Sequence, residues 1–165
     1  MFSMRENCEL QVLKEGAKEL QEVSTPWDFK NDDPTVLRNL VLSMKQTMRT
    51  EGGIGLAAPQ VGVNKRLFVI EVRPNDRYGN LPTIPFEVFI NPTILKFERR
   101  TTDFEEGCLS VDNFRIIINR PRSLWVRWQD LTGRYYRQKL TGVRARVFQH
   151  EYDHLDGILI SDYLI

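Results

Sequence analysis

The chain has two histidines, and both fall in one short run, His150-Glu151-Tyr152-Asp153-His154. Residues four apart share a face only where the backbone is an α-helix. A helix from about Thr141 to about Leu155, ended by Gly157, meets that requirement. Both imidazoles then reach one metal ion, and Glu151, next to the first, reaches a water at that ion. In a chain with no third histidine, chance placement of both in this pattern is the weaker reading. The rest of the fold must therefore be built around a metal-binding helix close to the C-terminus.

A centre that keeps one position open for chemistry needs three protein ligands. No Glu follows His154, and there is no further His. The strongest remaining candidate is Cys108, in Glu105-Glu106-Gly107-Cys108-Leu109-Ser110, because a thiolate suits a soft or borderline ion. Gly107 lets the backbone bend closely there. An isolated cysteine is more often a small buried residue; the histidine pair shifts the balance to ligation. Cys8 reads as a bystander, and a disulfide is not expected. A third signal is Gly53-Ile54-Gly55-Leu56-Ala57-Ala58-Pro59-Gln60. No Lys-Ser/Thr follows, so it is not a phosphate loop. Such a segment lets backbone lie close to a substrate, and the Gln60 amide can donate to a developing oxyanion. Taken alone, a tight turn entering a strand is the better reading.

Hydrophobic periodicity predicts a helix over Pro34–Thr50, with Asp33 as N-cap and Gly52-Gly53 as the stop. Strands are predicted at Leu67–Val72, Glu87–Glu98, Phe114–Asn119, Ser123–Gln129 and Tyr135–Leu140. Asn91-Pro92 marks an edge or a bulge in the second of these. The last two form a hairpin through Asp130–Gly133, and Arg73–Pro85 reads as a loop. The order helix, strands, helix gives an α+β class: mostly antiparallel sheets packed around the C-terminal HExxH helix.

The 165 residues suit a single catalytic domain spanning 1–165. A formal net charge of +1 gives no global pull toward nucleic acid or an anionic membrane. Arg134, Arg137, Arg144 and Arg146 cluster locally, and most of them read as a solvated face. No apolar run approaches the ~20 residues of a membrane span. The charged start MFSMRENCEL is unlike a signal peptide, so a cytoplasmic location is expected.

Three segments, GIGLAAPQ (53–60), EGCLS (106–110) and QHEYDHLDG (149–157), resemble the signature motifs of the peptide deformylases, in the family's order and at family-like spacing. The resemblance implies an enzyme that removes the formyl group from nascent peptides beginning with formyl-methionine. It implies one divalent metal ion, commonly Fe²⁺, with Zn²⁺, Ni²⁺ or Co²⁺ able to occupy the site. Cys108, His150 and His154 would be its ligands and Glu151 the base. Gln60 and the backbone N–H of Leu109 would form the oxyanion pocket, and Gly55 with Ile54 would contact the peptide. A Glu106–Arg120 pair is also implied.

Three features depart from the family. Val111-Asp112-Asn113 follows EGCLS, where a Pro-Gly-like turn is frequent. Arg146 lies one turn before His150, on the substrate side, where many bacterial members carry an apolar residue. An unpaired guanidinium is costly to bury, so Arg146 must snorkel outward or find an acid. Third, the chain ends at Ile165, whereas many bacterial members continue into a helix that in some serves ribosome docking, which puts the ribosome in doubt as a partner. Two other readings are a zincin-like endopeptidase, resting on HExxH alone, and a deformylase-like fold that binds peptides without turnover. The first leaves Cys108 and GIGLAAPQ unexplained, and the second sits poorly with the presence of both Glu151 and Gln60.

Overall fold

The computed structural model describes residues 8–74, 76 and 78–164. Helix α1 spans Pro34–Thr50, and the Asp33 carboxylate accepts from the Thr35 N–H at 2.7 Å. Its buried stripe is Leu37, Val41, Met44 and Met48. Seven strands follow: β1 (Gly55–Ala57), β2 (Leu67–Val72), β3 (Ile84–Phe97), β4 (Thr101–Cys108), β5 (Val111–Pro121), β6 (Ser123–Gln129) and β7 (Tyr135–Thr141). Helix α2 (Gly142–Leu155) comes last among the regular elements. The strands form an antiparallel five-stranded sheet, ordered β1-β2-β3-β6-β7, and a separate β4–β5 ribbon. This is the helix–strands–helix arrangement the sequence predicts.

Burial fixes how the layers sit. α2 packs Phe148 and Leu155 against Phe68, Phe89, Leu124 and Leu140 on one face of the large sheet. The rings of Phe68, Phe89 and Phe148 meet edge-on or tilted, with centroids 5.1–5.2 Å apart. α1 packs on Leu56, Leu67, Val69 and Ile90, toward the β1 end. Removing this apolar area from water, at roughly 25 cal/mol per Å², is what holds α2 firmly enough to act as a platform.

Two strands escape the sequence reading, β1 and β4. Thr101–Cys108 is exposed over its first five residues and carries no apolar alternation, so period-two patterning has nothing to detect. Asn91-Pro92 proves to be a bulge in a central strand. The β3–β6 register shifts between Ile90 and Thr93, and Asn91 adopts a left-handed φ of 49°. Its amide Nδ2 donates to Trp27 O at 2.9 Å and to Gln129 Oε1 at 2.9 Å, while its Oδ1 accepts from Trp27 N at 2.8 Å. The polar groups released by the bulge are thus satisfied. The Arg73–Pro85 loop is shorter than expected because β3 starts at Ile84.

The stretch before α1 crosses both sheets as an arm. Leu13 N donates to Gln60 O at 2.7 Å, and Glu15 N to Ser110 O at 2.8 Å. Lys14 Nζ donates to Leu109 O at 2.9 Å. Farther along, Ser24 N donates to Leu155 O at 2.8 Å, at the end of α2. There Gly157 takes a φ of 73°, and a Cβ on it would stand 2.6 Å from the Gln21 carbonyl oxygen. Glycine is therefore required twice over, for the left-handed turn and for the close approach of the arm. Among the described residues, no helix is long and apolar enough to cross a membrane.

Candidate metal centre

One turn of α2 brings His150 and His154 to the same face, with ring centroids 5.1 Å apart. Cys108 reaches them from the end of β4, where the β4–β5 register slips between Gly107 and Cys108. Its Sγ lies 3.4 Å from His154 Nε2. One ligand atom from each of Cys108, His150 and His154 falls within 4.8 Å of the others. His150 Nδ1 sits 3.0 Å from a Glu106 oxygen, which leaves Nε2 as its free donor. Burial alone would push the Cys108 thiol up, but the His154 and His150 imidazoles hold it well below its ordinary value. A buried thiolate with two imidazoles is a donor set for one divalent ion of borderline softness, and the residues present fit it.

Glu151, next to His150 on α2, lines the same cavity as Cys108 and His150. Burial raises its carboxyl to about 7, against the pull of the His150 and His154 imidazoles. Its Oε2 is buried without a hydrogen-bond partner. A carboxylate balanced near neutrality can both accept and return a proton.

Glu106 is the anchor of the assembly. Arg120 approaches it with two donors, Nε to Oε1 at 2.7 Å and Nη2 to Oε2 at 3.0 Å, so the pair implied by the motifs is present. Arg146 Nη1 donates to the same Oε1 at 3.0 Å. Burial alone would raise the Glu106 carboxyl, but bonds from His150 and Arg120 bring it down to about 2. Arg120 continues outward to Asp153 at 2.8 Å, and Tyr163 donates to the same Asp153 oxygen at 2.8 Å. The orientation of His150 is thus set by a buried, ionised carboxylate held by two arginines.

Arg146 resolves its choice by finding an acid. Besides Glu106, it donates to the carbonyls of Ile118 (2.9 Å) and Thr102, which bolts both strands of the ribbon to α2. Arg144 is likewise engaged, with Glu87 at 2.7 Å. Of the four clustered arginines, only Arg134 and Arg137 belong to a solvated face. Arg146→Ile would strand a buried carboxylate contact and two carbonyls. We expect it to lose about 3 kcal/mol of stability, seen as a fall in Tm of roughly 10 °C by calorimetry. An unchanged Tm would contradict the bolt.

A cavity of about 200 Å³ opens beside these groups, lined by Ile54, Gly55, Phe104, Leu109, Val143 and Arg146 among others. Gln60 is buried next to it. Its Oε1 accepts from Ala57 N at 2.9 Å, and its Nε2 donates to Ser110 Oγ at 3.1 Å and toward Cys108 Sγ at 3.6 Å. Ser110 and Asp153 were not singled out in the sequence. Their only signal was adjacency to Cys108 and His154, and their role depends on partners 50 and 33 residues away.

A cysteine–dihistidine cluster with a protonatable glutamate beside it, set against a small apolar cavity, defines a metallohydrolase class of centre. The comparisons narrow it further. The polypeptide deformylase family profile matches residues 9–165. A peptide deformylase from a Picosynechococcus species is 44% identical over 92% of this chain and 73% of its own. A Met-Ala-Ser-bound crystal structure of a class I type b peptide deformylase from Acinetobacter baumannii superposes with a TM-score of 0.91 at 36% identity, covering 95% of this chain and 99% of that one. The Thermotoga maritima peptide deformylase gives 0.82 at 37% identity, over 94% and 97%. The chain belongs to the polypeptide deformylase family.

Proposed function

We propose that the chain, acting as one catalytic domain, hydrolyses the N-formyl group of formyl-methionyl peptides, releasing formate and the free amine. The observation that carries this reading is the convergence of Cys108, His150 and His154 beside an unpartnered, buried Glu151. A divalent ion held by these three residues supplies Lewis acidity and makes water nucleophilic near neutral pH. Fe²⁺ is the ion the family resemblance favours, and the thiolate–imidazole donor set also suits Zn²⁺, Ni²⁺ or Co²⁺.

In this reading Glu151 takes the proton of the attacking water and returns it to the amine as the C–N bond breaks. The Gln60 N–H that points toward Cys108 Sγ, with the Leu109 N–H, donates to the formyl oxygen as charge develops there. One such donor is typically worth about 3–4 kcal/mol. Gly55 and Ile54 border the cavity at the start of β1, the edge strand of the large sheet, where an extended peptide can lie against the backbone. Gly55 has a second task. A Cβ there would be driven into the Glu151 carboxylate. Gly55→Ala is expected to lower kcat by about 10²-fold through misplacement of the base, with the metal retained. Wild-type turnover would refute that packing role.

Because the Arg146 guanidinium is committed to Glu106, its stem alone faces the substrate, and the side-chain cavity stays suited to an apolar group such as methionine. In this reading the partners are nascent formylated peptides and the enzyme works in the cytoplasm. Formate release from formyl-Met-Ala-Ser, with unformylated Met-Ala-Ser as control, tests the reading. Cleavage of the unformylated peptide would point instead to an endopeptidase, and binding without release to a non-turning-over relative.

A further inference from the structure

The face of the large sheet opposite α2 is only partly covered. α1 packs at the β1–β2 end, and on the outer surface of β6 and β7 Arg127, Tyr135, Arg137 and Lys139 are exposed. That surface alternates aromatic and cationic side chains. Arg127 lies opposite Arg137, and Trp125 opposite Lys139, across the β6–β7 ladder. The Arg137 guanidinium covers the Trp125 ring at 5.5 Å, and the Arg127 guanidinium covers Tyr135 at 5.3 Å. Tyr135 is 61% exposed. Among the described residues, neither Arg127 nor Arg137 is paired with a carboxylate, while Lys139 reaches Glu98 at 3.3 Å.

The local charge is far from the chain's average. Residues 93–100 and 122–141 hold eight lysines and arginines and two acids, a local +6 within a chain of net +1. The remaining residues therefore sum to −5. Of these cations Arg122 lines the cavity on the α2 side, while Arg127, Arg137 and Lys139 lie together on the outer face, so the near-neutral total is no guide to what this face attracts.

We propose that the outer face of β6–β7 binds single-stranded RNA, its phosphates met by Arg127, Arg137 and neighbouring cations and its bases by the Trp125 and Tyr135 rings. Flat guanidinium–aromatic pairs on an open sheet offer both parts of single-strand recognition, a cationic track and stacking area. An acidic peptide would use the charge and leave the rings idle. The choice of RNA over DNA rests on the nascent-chain substrate proposed above, since nascent peptides emerge from an RNA-rich machine.

The test is fluorescence anisotropy of a labelled 12-nucleotide uridine oligomer with the full chain at low salt. Binding is expected, weakening with salt as counterion release requires. Arg127→Glu/Arg137→Glu should weaken it tenfold or more and make the salt slope shallower by about 1.4, two single-strand phosphate contacts. Tyr135→Ala should weaken it about fivefold and leave that slope unchanged, as loss of stacking alone. Formate release by both variants should match the parent, which also confirms their folding. No binding, or equal binding by the charge-reversed variant, overturns the proposal. So does displacement by poly-glutamate as effective as by RNA, or tighter binding of the matching DNA oligomer. Binding is read without any formyl peptide, so failure of the deformylase reading and failure of this one are separately visible.

Discussion

Glu151→Gln is expected to retain a wild-type complement of metal while kcat falls by about 10²- to 10⁴-fold, the span associated with a positioned acid–base group. The metal should stay because the three donors on Cys108, His150 and His154 do not include Glu151. The turnover should fall because glutamine keeps the size and hydrogen-bonding of the side chain but cannot carry a proton. The Glu151 site is already deeply buried, and its carboxyl is raised to about 7 by that burial. A neutral amide is therefore tolerated there without a charge being stranded, so stability should change little. Elemental analysis and formate release on the same sample separate the outcomes. Full turnover would remove Glu151 from the chemistry, and loss of metal would make it a ligand.

Removing a ligand should act in the opposite order. Cys108→Ser, His150→Ala and His154→Ala are each expected to lower metal affinity by more than about 100-fold. Outer partners of a ligand alone are worth 10- to 100-fold, so a direct donor is worth more. Activity should then follow metal content. The three need not behave alike. His150 also accepts its orientation from Glu106 at 3.0 Å, and His150→Ala leaves that carboxylate with its two arginines only. Among the described residues, His154 has no such partner at Nδ1, which is buried. Full occupancy in any one variant would release that residue from the ligand set.

Much of this centre was legible in the sequence because its central part is local. Two histidines and a glutamate within one helical turn declare their face by spacing alone. α1 was readable for the same reason, an apolar stripe with a proper cap at Asp33. What was not legible depends on partners distant in the chain. Helix geometry puts Arg146 on the side of the cavity that it lines, but it does not say that Glu106, 40 residues earlier, waits there for its guanidinium. β4 was hidden because its stabilisation comes from pairing with β5 rather than from an apolar face. The bulge at Asn91 was half-readable. Proline announced an interruption, and only the sheet order shows that the strand is central.

The N-terminal arm carries a consequence for how the molecule comes into being. Its backbone bonds reach Gln60 and Ser110, and Lys14 reaches Leu109, 95 residues along the chain. This early stretch therefore closes over groups made much later, and Ser24 must wait for α2 before it can meet Leu155. Contacts of such sequence separation form late, after the loop-closure entropy has been met. On refolding, helix content should return before deformylation does. The chain cannot process other nascent peptides until α2 has been made and the arm has closed onto it.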